Sequence, residues 1–415
     1  MKTKAVRLYG KYDLRLEEFE LPEISDDEIL AEIITDSVCM STYKAVSLGT
    51  DHARVPDDVA TRPTIMGHES CGKIVKVGKN LTGKYFEGEK FVIQPALPDA
   101  ATYTIGYSYH YCGGDATYVV IPRLYIDSGC VLSYGREDYF SGSLAEPLSC
   151  IIGGFKVNYH NDFATHEHKM GIVEGGNMAL MAGVGPMGLG AIDYALHGPR
   201  RPGMLVVTDI NKQRLARAER IFTPEKAAKE GVKLVYLDTS EGDTKERMLA
   251  LTDGKGYDDV FVYAPVPALL EQADGILAKD GCLNFFAGPT DKNLSAKFNF
   301  YDVHYRYTHV AGNTGGTAKD MQDAIDLMNE GKLTPAVMVT HVGGLDSAAE
   351  TTVNLPKIPG GKKLVYTHIN MPMTAIDDFR ALGEKDVRYK VLADICEQNN
   401  GLWCEKAEKY LLENF

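Results

Sequence analysis

The chain has 415 residues, enough for two or three domains, and its 44% hydrophobic and 24% charged residues exclude long disordered stretches. Its net charge of −13, from 44 basic and 57 acidic residues, excludes the basic excess typical of nucleic-acid binding proteins. No apolar run approaches the roughly 20 residues that a membrane-spanning helix needs, and no apolar block of signal-peptide length follows the charged N-terminus. We therefore expect a cytosolic protein that acts on small molecules, not on nucleic acids or membranes.

The first third of the chain alternates apolar and polar residues with the period of β-strands. Glycine and proline turns separate these stretches, and no helix of βαβ type intervenes between the first three. The pattern predicts a β-rich domain with strands at residues 5–9, 14–19, 29–34, 73–78, 86–92 and 113–122.

Four side chains of metal-ligand type stand in this β-rich part: Cys39, the pair His68 and Glu69, and Glu146. A thiolate, an imidazole and carboxylates are the ligands that zinc accepts, and a catalytic zinc keeps one coordination position open. Taken singly, each is equally consistent with a structural role, such as a buried core cysteine or an acid at a helix start. Ser41 follows Cys39 by two residues, which would put a hydroxyl beside a substrate held at a Cys39 metal.

From about residue 177 the pattern changes to alternating strands and helices. This alternation predicts an α/β domain with a doubly wound parallel sheet. After residue 333 the pattern is again typical of β-strands, one of them at residues 362–366. Residues 371–415 have the periodicity of helices. The predicted strands of the α/β part are 178–182, 204–208, 233–237, 259–263, 282–287 and 308–312, with helices such as 211–221 and 318–331.

A glycine turn joins the first strand and helix of the α/β part. Gly183, Gly185 and Gly188 have the Gly-x-Gly-x-x-Gly spacing that lets a backbone turn tightly, approach a pyrophosphate and pack a helix close to a strand. Asp209 ends the next predicted strand, 21 residues past Gly188, where a ribose-binding carboxylate belongs. The turn therefore predicts a nicotinamide-cofactor site made of Gly183, Val184, Gly185, Pro186, Met187, Gly188, Asp209, Ile210 and Arg214.

In order and spacing, these motifs resemble the medium-chain, zinc-dependent alcohol and polyol dehydrogenases over residues 1 to about 368. Within that family, the whole chain is most similar to the L-sorbose 1-phosphate reductases. The matching stretches are Cys39-Met40-Ser41, 63–78 with Gly67-His68-Glu69, 88–92, 113–122, Glu146-Pro147-Leu148, 183–188, Asp209, Gly281, Gly288, Gly312 and 360–365.

The resemblance implies a GroES-like catalytic domain at residues 1–152 and 333–370 and a Rossmann domain at 153–332. Residues 371–415 would form a helical extension packed on the catalytic domain, and the protein would be a homo-oligomer, a dimer or a tetramer. Carried over by position, the implied zinc ligands are Cys39, His68 and Glu146. Glu69 would exchange with these ligands or orient the site. Ser41 would pass the substrate proton, and Asp209 would bind the adenosine ribose.

Two departures from the family pattern bear on the substrate and on the metal count. Relatives often carry a histidine five residues past the cysteine ligand, where this chain has Lys44. That lysine either holds an anionic substrate group or is a solvated surface residue. Many relatives also carry four cysteines for a structural zinc, but residues 93–112 hold only Cys112. One thiol cannot hold a tetrahedral zinc, so we expect a single, catalytic metal per chain.

Other candidates are weaker. The aromatic run Tyr107, Tyr109, His110 and Tyr111 either lines a sugar pocket or packs as strand residues, and His166 and His168 lie in an apparent polar loop spanning 158–176.

The leading function is reduction of a ketose phosphate to an alditol phosphate with NAD(H) or NADP(H), most specifically L-sorbose 1-phosphate to D-glucitol 6-phosphate. The alternatives are oxidation of an unphosphorylated polyol and, last, a non-catalytic protein that only binds the cofactor.

Overall fold

The computed structural model describes residues 1–98 and 103–415. Its strands, numbered in chain order, are β1 (Lys2–Gly10), β2 (Asp13–Glu20), β3 (Ile29–Ser37), β4 (Thr64–Ile65), β5 (Cys71–Val77), β6 (Lys90–Ile93), β7 (Tyr118–Ile121), β8 (Val131–Ser133), β9 (Tyr159–Asn161), β10 (His168–Met170), β11 (Asn177–Met181), β12 (Met204–Asp209), β13 (Lys233–Asp238), β14 (Tyr257–Val262), β15 (Leu277–Phe285), β16 (His309–Ala311), β17 (Val339–Gly344), β18 (Lys362–Tyr366) and β19 (Thr374–Ala375).

Within the same residues, no helix is both long and apolar enough to cross a membrane. The helices are α1 (Met40–Leu48), α2 (Arg123–Asp127), α3 (Phe140–Ser143), α4 (Ala145–Val157), α5 (Pro186–His197), α6 (Lys212–Ile221), α7 (Pro224–Lys229), α8 (Thr244–Leu251), α9 (Pro267–Asp274), α10 (Phe300–Tyr305), α11 (Ala318–Asn329), α12 (Ala348–Asn354), α13 (Phe379–Leu382), α14 (Val387–Gln398) and α15 (Glu405–Asn414).

The chain forms two compact units. The first consists of Met1–Pro147, Thr317–Ile325 and Val339–Phe415, and the second of Leu148–Gly316 and Asp326–Met338. The first unit is therefore assembled from both ends of the chain.

The first unit is rich in antiparallel sheet. Strands β2, β1 and β4 form one sheet, and a second sheet runs in the order β19-β17-β18-β3-β5-β6-β8, with β7 also paired to β3. Along β3, Ile29, Ala31 and Ile33 are buried, as the period of two predicts. The late strand β18 lies directly against β3, with Leu364 opposite Ser37 and Tyr366 opposite Thr35. This pairing brings residues from near the C-terminus beside the strand that leads to Cys39.

The second unit is built on a six-stranded parallel sheet in the order β13-β12-β11-β14-β15-β16. The order reverses between β11 and β14, and in open parallel sheets ligands bind beyond the carboxyl ends of the strands at such a switch point. Strand β11 has an unbroken run of buried residues from Met178 to Met181, as expected for a central parallel strand. The glycine turn follows this central strand.

The strands and helices predicted for the α/β part are confirmed, with ends that differ by a few residues. The prediction of a plain loop at 158–176 was wrong, because β9 and β10 form a short antiparallel hairpin there. Three-residue strands are too short to produce a visible period. His160 in this hairpin is buried, and its Nε2 lies 3.2 Å from Asp259 Oδ1.

The C-terminal segment is helical, as its periodicity predicts, and belongs to the first unit. Glu408 of α15 is buried and accepts hydrogen bonds from the backbone N–H groups of Tyr139 (2.6 Å) and Phe140 (2.8 Å). Tyr366 of β18 donates its hydroxyl to the same carboxylate (2.9 Å), and it accepts a bond from Trp403 Nε1 (2.8 Å). Through Glu408, helix α15 is therefore hydrogen-bonded both to strand β18 and to residues 139–140, which precede α4.

Candidate active site

Cys39 stands where strand β3 passes into helix α1, and it is the N-cap residue of that helix. Its Sγ accepts a hydrogen bond from the Ser41 hydroxyl at 2.9 Å. Burial raises the pKa of the Cys39 thiol to about 12, and the neighbouring Glu69 and Glu146 carboxylates add to the rise. Although the charge of Lys362 opposes the rise, the thiol therefore keeps its proton in the absence of a metal ion.

His68 lies in the turn between β4 and β5. Gly67 makes the turn possible, since its φ of +86° belongs to the left-handed region that favours glycine. The Ser41 hydroxyl lies 3.2 Å from His68 Nε2, and the Thr42 hydroxyl lies 3.3 Å from Nδ1. Burial lowers the pKa of His68 to about 4, so the imidazole is neutral at physiological pH and has a lone pair to offer a metal.

Glu69 is buried beside His68 and is paired with a lysine. Lys362 Nζ lies 2.6 Å from Glu69 Oε2 and also contacts Oε1, and the Ser37 hydroxyl donates to the same carboxylate. The Glu69 side chain is 1% exposed and that of Lys362 5%. Burial alone would lower the pKa of Lys362, but Glu69, Cys39 and Glu146 hold it above its ordinary value. The lysine is therefore a permanent cation inside the cluster.

Three of the predicted donors are brought together. Donor atoms of Cys39, His68 and Glu69 all lie within 4.8 Å of one another, and within residues 1–98 and 103–415 no other group of three such donors does so. His68 and Glu69 are buried and Cys39 is partly exposed, and together their sulfur, imidazole nitrogen and carboxylate oxygen form a donor set that suits zinc. Thr42 beside His68 Nδ1 supplies the outer hydrogen-bond partner that metal-bound histidines usually have.

Glu146 is buried in the first turn of α4, which confirms the predicted helix start. It does not belong to the group of three donors, but its charge acts on both Cys39 and Lys362. The structure thus puts Glu146 next to the cluster and Glu69 within it.

Lys44 lies on α1, one turn beyond Cys39, and is half-buried. Burial lowers the pKa of Lys44, while a Cys39 thiolate would raise it. Of the aromatic run, Tyr107 reaches the cluster, since its ring stacks on His68 at 5.0 Å and its hydroxyl lies 3.5 Å from His68 Nε2. Tyr109 packs against Tyr125 instead, at 5.8 Å.

Several other basic residues make contacts outside the donor cluster. His110 donates Nδ1–H to the Pro63 carbonyl at 3.1 Å, and Arg306 donates to the Leu277 carbonyl at 2.8 Å. His166 and His168 are exposed in the β9–β10 hairpin region, where His168 stacks on Tyr159 at 4.4 Å.

The glycine turn has the geometry that its spacing predicts. A Cβ at Gly188 would lie 2.1 Å from the Gly183 carbonyl oxygen, so only glycine allows α5 to start this close to the turn. A Cβ at Gly185 would meet nothing within 4 Å, which leaves its backbone open to a ligand. Gly185 caps the N-terminus of α5, and Pro186 occupies the first helical turn. Unpaired N–H groups at this helix end can bind a pyrophosphate.

Asp209 ends β12, the neighbour of β11, and is oriented by the Asn211 N–H, which donates to Oδ1 at 2.9 Å. Ile210 next to it is 71% exposed, and Arg214 lies in the first turn of α6. Lys212 is engaged by two other acids, with its Nζ 3.4 Å from Asp238 and 3.6 Å from Glu241. The edge of the second unit where the ribose would bind is therefore acidic.

Sequence reasoning missed Lys362 and two basic residues near Tyr107, His52 and Arg54. Lys362 and Lys363 open the short strand β18, and two charged residues beside the apolar Leu364 and Val365 were the available signal. His52 and Arg54 lie in a loop without periodicity, so nothing in the pattern marked them.

Two family models match the chain, one described as an alcohol dehydrogenase GroES-like domain over residues 25–128 and one as a zinc-binding dehydrogenase over residues 186–330. The chain is 54% identical to the uncharacterized protein YggP of Escherichia coli K12, over 100% of this chain and 98% of that protein. It is 50% identical to a mannitol-1-phosphate 5-dehydrogenase of Aliivibrio fischeri (99% and 98% covered) and 49% identical to an L-sorbose 1-phosphate reductase of Klebsiella pneumoniae (99% and 97% covered).

Among solved structures, a Sinorhizobium meliloti protein described as a zinc-binding dehydrogenase and bound to NADP matches with a TM-score of 0.71 at 21% identity. The match covers 88% of this chain and 99% of that one. The 2R,3R-butanediol dehydrogenase of Bacillus subtilis also reaches 0.71, at 22% identity, with 88% and 100% covered. The predicted combination of a Rossmann sheet with a GroES-like β-rich domain is thereby confirmed.

Proposed function

Because the chain belongs to the zinc-dependent, medium-chain family of alcohol and polyol dehydrogenases, we propose that it reduces a ketose phosphate to the corresponding alditol phosphate. As a member of that family it uses zinc and a nicotinamide cofactor. The conversion of L-sorbose 1-phosphate to D-glucitol 6-phosphate is the pair that we favour. Two relatives that match this chain from end to end are named for sugar phosphates, which supports a phosphorylated substrate.

The observation that carries the reaction class is the donor cluster of the partly exposed Cys39 with the buried His68 and Glu69. We propose that Cys39, His68 and Glu146 hold the zinc and that Glu69 exchanges with them or orients the site. The charges balance, because one thiolate and two carboxylates would face a divalent cation and the ammonium of Lys362. Bound there, zinc would polarise the substrate carbonyl, and the nicotinamide would supply the hydride.

Ser41 is the proposed proton donor to the substrate oxygen. Its hydroxyl already lies between Cys39 Sγ and His68 Nε2, and it also hydrogen-bonds Tyr107. A hydroxyl held beside two metal ligands is within reach of an oxygen bound at the same metal. Lys44, half-buried one helical turn beyond Cys39, is proposed to attract the anionic end of the substrate.

In the second unit, the open backbone at Gly185 and the N-terminus of α5 are proposed to hold the cofactor pyrophosphate. The turn residues Gly183, Val184, Pro186, Met187 and Gly188 complete that cradle. Asp209, with Ile210 and Arg214 beside it, is proposed to receive the adenosine ribose.

The test is a comparison of kcat/KM for matched phosphorylated and unphosphorylated ketoses, with NADH and with NADPH. L-Sorbose 1-phosphate should be reduced far better than L-sorbose. The same comparison of D-fructose 6-phosphate with D-fructose shows whether a phosphate at the other end of a ketose has a similar effect. Equal efficiency on L-sorbose and L-sorbose 1-phosphate would contradict the phosphorylated substrate and favour a polyol dehydrogenase.

Metal analysis of the same preparation should find about one zinc per chain. Cys39→Ser should lose both zinc and turnover, whereas Cys112→Ser, which alters a buried cysteine outside the cluster, should keep both. Two tightly bound zinc ions per chain, or full activity of Cys39→Ser, would refute the proposed ligands.

A further inference from the structure

Tyr107 connects the candidate zinc ligands to a group of basic side chains. The ring of Tyr107 is buried and stacks on His68 at 5.0 Å. The His52 ring lies nearly parallel to it, at 5.7 Å and an interplanar angle of 4°, and the Arg54 guanidinium carbon lies 5.2 Å from its centre. One aromatic ring therefore contacts both a proposed metal ligand and two basic residues.

The charges of two other basic side chains act on His52. Burial lowers the pKa of His52, and the charges of Arg54 and Lys44 lower it further, so the three groups lie close enough to repel. Arg54 also lowers the pKa of His68. Arg54 and Lys44 thus bring positive charge to the neutral His52 ring, and a bound anion would be attracted to it even in a protein with a net charge of −13.

Among the described residues, no carboxylate forms an ion pair with the Arg54 guanidinium. The nearest acid in sequence, Asp51, is paired with Lys11 at 2.8 Å. The loop itself is held by its backbone, since the Arg54 N–H donates to His52 Nδ1 at 3.2 Å and the Arg54 carbonyl accepts from the Ser108 hydroxyl at 2.5 Å. Apart from its contact with the Tyr107 ring, the Arg54 guanidinium therefore remains open to an anionic ligand.

We infer that Arg54 and His52, together with Lys44, bind the phosphate group of the substrate. The inference rests on the proposed function in that it assigns residues to the phosphate of that substrate. Arginine offers two parallel N–H donors to phosphate oxygens, and lysine adds a point charge. Since His52 Nδ1 accepts a bond from Arg54, the proton of the neutral ring is on Nε2, which can donate to a third oxygen.

Steady-state kinetics of Arg54→Ala test the assignment. KM for L-sorbose 1-phosphate should rise roughly 10- to 100-fold, because a charge-assisted hydrogen bond is lost, whereas KM for L-sorbose and zinc content should change little. Arg54→Lys should recover part of the loss, since it restores the charge but not the paired donors. The matched control is Arg62→Ala, an exposed arginine of the same region paired with Asp58 at 3.3 Å, which should behave as wild type.

Binding of inorganic phosphate to the zinc-loaded protein gives a readout independent of turnover. Phosphate should bind to wild type and Arg62→Ala, bind weakly to Arg54→Ala, and inhibit in competition with the ketose phosphate but not with NADH. Equal phosphate binding by wild type and Arg54→Ala, or competition with NADH alone, would overturn the assignment. If phosphate binding depends on Arg54 but wild type does not prefer phosphorylated ketoses, the subsite stands and the proposed substrate is wrong.

Discussion

The ammonium of Lys362 lies 2.6 Å from Oε2 of Glu69, and both side chains are almost completely excluded from solvent. A buried carboxylate that loses its cation is strongly unfavourable, whereas a divalent metal beside it can take over the compensation. The pair therefore links the folding of the first unit to metal binding.

We expect Lys362→Met to lower the free energy of unfolding of the metal-free protein by about 3–5 kcal/mol, since it leaves Glu69 buried and unpaired. Added zinc should then raise the melting temperature of Lys362→Met more than that of wild type. Lys363→Met is the control, because the neighbouring Lys363 is also buried but donates to the carbonyls of Ile358, Pro359 and Gly361. An equal response to zinc in wild type and Lys362→Met would contradict the coupling.

Ser41→Ala should lower kcat much more than it raises KM, because a proton donor acts mainly in the chemical step. The expected loss in kcat is roughly 10²–10⁴-fold, with zinc retained. Thr42→Val, which alters the hydroxyl at His68 Nδ1, should instead weaken zinc binding by about 10- to 100-fold. If Ser41→Ala raises KM alone, Ser41 is a binding contact and the proton donor lies elsewhere.

NADH should be used at least as well as NADPH, because the Asp209 carboxylate would repel a 2′-phosphate. Lys212 is committed to Asp238 and Glu241, which leaves Arg214 as the nearby cation to soften that repulsion. Asp209→Ser should raise kcat/KM with NADPH relative to NADH. A roughly hundredfold preference of wild type for NADPH would contradict the assignment of Asp209 to the ribose.

Glu408 should make stability depend on pH. Burial raises the pKa of Glu408 from 4.5 to about 7, although hydrogen bonds from Tyr139, Tyr366 and Phe140 oppose the rise. Because the folded state holds a proton that the unfolded state releases, this contribution is present below pH 4.5 and is lost as the pH rises to about 7. The total change is on the order of 3 kcal/mol.

Denaturation across that pH range should therefore show a steeper loss of stability for wild type than for Glu408→Gln. Glu405→Gln, an exposed acid on the same helix, should follow wild type. Parallel pH profiles of wild type and Glu408→Gln would refute the role of Glu408.

The pattern of residues predicted most of the architecture, because strands such as β11 and the glycine turn after it depend on local sequence. The resemblance of the stretches around Cys39 and His68 to one family singled out the residues of the donor cluster, although it implied Glu146 as the third zinc ligand, where the structure has Glu69. Lys362 and Glu408 could not be predicted, since their partners lie 293 and up to 269 residues away and are chosen by packing. The residues around Tyr107 were missed for the same reason: Arg54 and His52 meet it across a fold that no local pattern encodes.

The pairing of β18 with β3 also has a consequence for synthesis on the ribosome. Cys39, His68 and Glu69 emerge early, but Lys362 follows only after the whole second unit has been translated. Domains generally fold as units during synthesis, so the second unit can complete its sheet while the first is still missing a central strand. In the nascent chain, Glu69 therefore has no Lys362 beside it until most of these 415 residues have been synthesised.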